Sequence, residues 1–184
     1  FYINTSLLFY ANSTYELKND LTLKKNDLLV CTHSYEYIDV FVIINEYIKK
    51  KQNVTIVFAN KIHNHILKYY LYSIGVTWIN FLFVKGGTVN KVKEIIKKEP
   101  VIIYLYKFLS HKTGIYYMSK NSKNIYLCKI RSNHPPKTHD KNNYLEVFIR
   151  NFGKHYEIEY LKYNYNLNDS PDVFMNKLKN SLYN

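Results

Sequence analysis

The sequence predicts one α/β domain spanning residues 1–184, with a mainly parallel sheet flanked by helices. Two observations carry that prediction. From residue 27 onward, short apolar runs alternate with amphipathic stretches of helical length, which is the pattern of repeated βαβ units. The 184-residue length suits one domain, and a 47% hydrophobic share against 22% charged residues can build a sizeable core.

Taken in order, Asp27 to Cys31 (DLLVC) reads as a buried strand. Tyr37 to Lys50 reads as a helix closing on lysines, a favourable charge at a helix C-terminus. Asn53 to Ala59 is β-branched and apolar, hence a strand. Lys61 to Ile74 reads as a helix with Gly75 at its C-terminal cap. Trp78 to Val84 is the next strand, and Thr88 to Lys98 a helix stopped by Pro100. Val101 to Tyr106 (VIIYLY) and Asn124 to Ile130 are further strands. The segment from His134 to Asn143, with Pro135 and Pro136, reads as a surface loop. Tyr144 to Tyr160 holds two alternating stretches split by Gly153, which suggest strands at a sheet edge. Ser170 and Pro171 are a good cap and first residue for a closing helix over Asp172 to Leu182.

Composition narrows the function classes. No apolar run reaches the roughly 18 residues a membrane-spanning helix needs. Cys31 and Cys128 are too few for a disulfide framework, and no Cys/His spacing matches structural zinc. The formal net charge of +12 asks for an anionic partner: nucleic acid, a membrane surface or a phosphorylated substrate. Only Arg131 and Arg150 are arginines, whereas nucleic-acid binders usually exploit arginine forks. The lysines are spread along the chain, whereas a nucleic-acid face should concentrate them with exposed aromatics. The first residues, FYINTSLLFY, are apolar and aromatic and read either as cover for the core edge or as a segment touching lipid. The chain opens on Phe1, and the expectation is a processed or truncated product whose upstream anchor is missing.

In open parallel sheets, chemistry gathers outside the carboxyl ends of the strands. The loop that stands out there is Thr32-His33-Ser34-Tyr35-Glu36-Tyr37-Ile38-Asp39. A buried strand delivers His33, and the first turns of a helix bring Glu36 and Asp39. Histidine beside a carboxylate is the minimal general-base pair, because the carboxylate holds the ring tautomer and stabilises the imidazolium. Plainer roles stand beside that one: His33 as a capping or loop hydrogen-bonder, Asp39 as solvated charge near a helix N-terminus. His63 and His65, two apart on a helix, face different ways and make a poor metal pair. Gly86-Gly87 before Thr88 could place an anion at a helix N-terminus, without the full glycine fingerprint of a nucleotide site.

In order along the chain, these blocks resemble the glycerolipid acyltransferase family of the lysophosphatidic-acid and glycerol-3-phosphate type. That family carries a His-x4-Asp motif, a second block ending in a basic residue, and a Phe-Pro-Glu-Gly-Thr-Arg-Ser block. Here the first is similar to His33 to Asp39, the second to FLFVKGG (81–87), and the third to YLYKFLS (104–110) followed by Lys112-Thr113-Gly114. YLEVFIRNFGKHYEI and SPDVFMNKLKNSL resemble the family's later strand–glycine–strand and terminal helix. The chain departs from the pattern in three places. Five residues, not four, separate His33 from Asp39, Tyr106 stands at the third-block glutamate, and Leu109 stands at its arginine. One extra residue rotates a helical position by about 100° at ~3.6 residues per turn. A bulge at the helix start could absorb it, or Glu36 could take the aspartate's role.

The resemblance implies transfer of a fatty acyl group from acyl-CoA or acyl carrier protein to a glycerolipid hydroxyl. His33 would be the general base and Asp39 or Glu36 its orienting carboxylate. Lys85, Tyr106, Lys107, Ser110, Lys112 and Gly114 would bind the acceptor, a lysophospholipid or glycerol phosphate. No metal or cofactor is implied, since the thioester is a substrate. The expected setting is the cytoplasmic face of a membrane with anionic lipids, with no nucleic acid. The two rival readings are a catalytically impaired lipid-binding pseudoenzyme of the same fold and a basic nucleic-acid-binding α/β module.

Overall fold

The computed structural model describes residues 14–33, 37–58, 68–69, 71–73, 75–83, 87–105, 113–132, 153–166 and 168–184. Seven strands form one sheet. They are β1 (Thr14–Leu17), β2 (Asp27–Thr32), β3 (Val54–Phe58), β4 (Ile79–Phe83), β5 (Val101–Leu105), β6 (Asn124–Ser132) and β7 (His155–Tyr163). The helices bounded within the described residues are α1 (Tyr37–Lys49), α2 (Thr88–Ile95), α3 (Gly114–Ser119) and α4 (Pro171–Tyr183). Residues 68–69 and 71–73 are also helical.

The strand order is β1-β7-β6-β2-β5-β3-β4. All neighbours pair parallel except β6 with β7. The chain is therefore α/β with a single, mostly parallel sheet. The buried strands are legible in their side chains: every residue of β2 is buried, as a strand with helices over both faces must be. β7 alternates instead, with Tyr156, Ile158 and Tyr160 buried and the residues between them partly exposed.

Two apolar cores lie on opposite faces. The front core packs α1 through Val40, Ile43, Ile44 and Tyr47 onto Leu29, Cys31, Ile56, Ile102, Cys128 and Tyr160 of the sheet. The back core packs α2, α3 and α4 through Val92, Ile115, Met118, Phe174 and Leu178 onto Leu28, Val30, Ile103 and Leu127. Alternate residues of β2 enter alternate cores, the period-two rule of a pleated strand. Ser170 caps α4 by accepting from the Val173 N–H at 3.4 Å, and Pro171 opens the helix where its missing N–H costs nothing.

Polar ties fix the sheet's far edge to α1. The Tyr15 hydroxyl donates to Glu46 Oε1 at 2.5 Å and accepts from Asn45 Nδ2 at 2.7 Å and Lys49 Nζ at 2.5 Å. Asn45 and Glu46 are buried, so β1 supplies the partner that two polar side chains of α1 need. Gly75 adopts φ +78 and donates its N–H to Tyr72 O at 3.0 Å, the helix-terminating role expected of it.

Four details differ from the sequence reading. The stretch HYEIEYL, expected at a sheet edge, forms β7 between β1 and β6, because β1 pairs along its outer side. The strand β1 and the short helix α3 carry no element in that reading. Helix α2 gives way to turns after Ile95, ahead of Lys98. The loop over 134–143, the stretch YLEVFIR (144–150) and the first ten residues lie outside the described residues.

The buried phenols give the fold a pH signature. Burial pushes Tyr47, Tyr104 and Tyr160 well above the usual value near 10, and burial with the Glu46 carboxylate does the same for Tyr15. The unfolded chain sheds these protons at ordinary alkaline pH while the folded chain keeps them. Their contribution to stability is thus full below about pH 10 and is lost as pH rises beyond it. A spectrophotometric phenol titration should show a lagging fraction that ionises only with loss of the native circular dichroism. Titration of every phenol together in a protein that stays folded would contradict this packing.

Candidate active site at the parting of two parallel strands

The helices that follow β2 and β5 lie on opposite faces of the sheet. β2 is followed by α1 on the front face, and β5 by α3 on the back face. These two strands are hydrogen-bonded neighbours, paired from Leu28↔Val101 to Thr32↔Leu105. Adjacent parallel strands whose connections depart to opposite faces leave a crevice beyond their ends, the usual ligand position in open α/β sheets. His33 stands at that position in the topology, one residue past β2.

The His33 ring meets the carboxylate of Asp39, with Nδ1 3.3 Å from Oδ2. Asp39 is the third residue of α1 and fully buried, and the His33 side chain is 11% exposed. A carboxylate in the first turn of a helix is favoured by the helix dipole, which offsets part of the cost of burying it. An ionised carboxylate only accepts, so the ring proton is assigned to Nδ1. Nε2 is then the basic nitrogen. Five intervening residues therefore still bring this carboxylate to the ring.

The wall behind the ring is aromatic and sulfur-rich. The Tyr104 ring lies 5.5 Å from the His33 ring, centroid to centroid, at an interplanar angle of 54°. Across the sheet, Tyr104, Cys31, Cys128 and Tyr160 stand side by side on the front face, by the registers Cys31↔Tyr104, Cys31↔Cys128 and Cys128↔Tyr160. Cys31 is two residues from His33, which raises the question of a thiol nucleophile. Burial, and secondarily Cys128 and Asp39, push the Cys31 thiol well above its ordinary range. A fully buried thiol with a raised pKa is a poor nucleophile, which leaves the imidazole as the candidate reactive group here.

The backbone of His33 is also held. Its N–H donates to the Tyr183 hydroxyl at 3.2 Å, and that hydroxyl donates to the Leu105 carbonyl. The sequence reading assigned no role to Tyr183 or Tyr104. Tyr183 lies 150 residues from His33 and no local motif marks it, whereas Tyr104 is two residues before the Tyr106 that the third block singles out.

Of the residues assigned to the site from sequence, His33 and Asp39 come together here. Glu36, Lys85, Tyr106, Lys107, Ser110 and Lys112 lie outside the described residues. Gly114 is the first residue of α3, where an added Cβ would meet only Val89 Cγ2 at 3.9 Å, an ordinary contact. Gly87 takes φ +80 immediately before α2, so its lack of a side chain has a backbone reason. Among the described residues, no group of three His, Cys, Asp or Glu side chains could hold a metal ion. No helix among them is long and apolar enough to cross a membrane. Comparison with protein-family models and with curated proteins returns no match.

The cysteine argument has a direct check. Both thiols should resist iodoacetamide at pH 8 in the native protein and react fully in denaturant. Rapid native alkylation of Cys31 would reopen the thiol as a nucleophile at this site.

Proposed function

We propose that this protein is a glycerolipid O-acyltransferase that moves a fatty acyl group from an acyl thioester to a hydroxyl of a lysophospholipid or glycerol phosphate. The observation that carries this reading is the 3.3 Å contact between His33 Nδ1 and the buried Asp39 carboxylate at the crevice between β2 and β5. The order of blocks that resembles the glycerolipid acyltransferases supplies the choice of reaction.

The chemistry follows from the pair. A hydroxyl is a weak nucleophile at neutral pH, so its proton must leave as the new bond forms. His33 Nε2 takes that proton while the acceptor oxygen attacks the thioester carbonyl. Asp39 holds the ring by Nδ1–H and stabilises the imidazolium. Collapse of the tetrahedral intermediate breaks the C–S bond, and the departing sulfur takes the proton from Nε2. An ester and a free thiol result, with His33 restored and no acyl-enzyme formed.

The basic surface suits this role. A net charge of +12 attracts anionic headgroups and the phosphate of the acceptor, an attraction that salt weakens. Nucleic acid is the less favoured partner because the chain has two arginines.

A thiol-release assay tests the proposal, with the acceptor presented in anionic vesicles and several chain lengths of donor. His33→Ala should lower the rate by roughly 10²–10⁴-fold, the usual worth of a positioned base. Asp39→Asn should also impair it, and the wild-type rate should fall as salt rises. Thiol release indistinguishable between wild type, His33→Ala and buffer, across donors and acceptors, would overturn the enzyme reading. The lipid-binding fold would then remain as the alternative.

A further inference from the structure

The Tyr183 hydroxyl lies at the end of the β2–β5 ladder, whose last registered pair is Thr32↔Leu105. It accepts from His33 N at 3.2 Å and donates to Leu105 O. One phenol thereby links the backbone at the ends of both strands. Its helix is firmly seated, because Phe174, Leu178 and Leu182 of α4 are buried in the back core. Tyr183 thus reaches from the back-face helix to the backbone of the residue whose ring faces Asp39 on the front.

We infer that Tyr183 is a positioning residue that sets the backbone of His33, and through it the aim of the imidazole, by bridging the ends of β2 and β5. As a statement about catalysis this rests on His33 acting as the base. As a statement about geometry it does not. Removing the hydroxyl removes one bond from the His33 N–H and one from the Leu105 carbonyl, so the backbone that carries the ring loses its tie to α4. A misplacement on the order of 1 Å can cost about 10²-fold in rate. The expected loss in kcat for Tyr183→Phe is about 10- to 100-fold with KM within about twofold.

The experiment compares wild type, Tyr183→Phe and Leu178→Ala by amide hydrogen exchange, by 15N NMR of the His33 ring and by thiol release. In wild type the His33 amide should be protected, although it lies beyond the last registered pair. In Tyr183→Phe that protection should fall by at least about tenfold while Thr32 stays protected, and the ring nitrogen signals of His33 should shift. Leu178→Ala should lower the melting temperature yet leave the His33 signals and the kcat of the folded fraction unchanged. Ring signals that do not change in Tyr183→Phe would overturn the inference, whatever happens to the rate. So would a wild-type His33 amide that exchanges like an open loop, a result that needs no variant. Shifted His33 signals in a protein that releases no thiol would sustain the positioning role and sink the acyltransferase reading alone.

Discussion

The parting of β2 and β5 governs most of what is specific about this protein. β2 is buried on both faces, so its course is fixed by two cores at once, and α1 must then leave toward the front because the front core is built on it. The helix that follows β5, α3, packs in the back core. Two strands locked by a parallel ladder cannot both be followed without opening a gap at their ends. The Tyr183 hydroxyl bonds the backbone of both strand ends, accepting from the His33 N–H and donating to the Leu105 carbonyl. The crevice is therefore a consequence of topology that the closing helix finishes.

The same constraint explains why a carboxylate can be buried beside the crevice. A helix that begins within a few residues of the strand end points its N-terminus back at that end. Asp39 sits in that first turn, where the helix dipole favours negative charge, and meets the His33 ring. The far end of α1 is anchored separately. The Tyr15 hydroxyl gathers Asn45, Glu46 and Lys49, and Lys50 pairs with Asp20 at 2.5 Å. A helix fixed at both ends is a rigid carrier, which a base–carboxylate pair needs if its geometry is to be set before substrate arrives.

Much of this was legible in the residues, for reasons that can be named. Runs such as DLLVC and VIIYL announce strands because a strand covered on both faces has no polar side to show. The alternation of HYEIEYL announces a strand with one covered face but not its place, because β1 pairs along its outer side and takes the edge. Ser170-Pro171 marks a helix start by its chemistry alone. β1 was hidden because TYEL is only four residues, and its half-buried Tyr15 acquires meaning only against Glu46, thirty-one positions away. α3 was hidden inside a block read for its ligand chemistry, and its buried face, with Ile115, Met118 and Ser119, is one turn long. At the site, the types His and Asp and their place after a strand could be read in advance, but their distance could not. An extra residue at a helix start has no fixed outcome until the local backbone is known. Tyr183 was illegible because a hydroxyl that bridges two strand ends leaves no pattern within its own helix.

The account depends above all on the His33 ring being held by Asp39 through Nδ1, leaving Nε2 as the base. Long-range 1H–15N correlation of the neutral imidazole measures that directly. The expected result is a proton on Nδ1 and a bare Nε2 in wild type, with the tautomer balance moving when Asp39 is replaced by Asn. A wild-type ring carrying its proton on Nε2, with Nδ1 bare and indifferent to Asp39→Asn, would contradict the account.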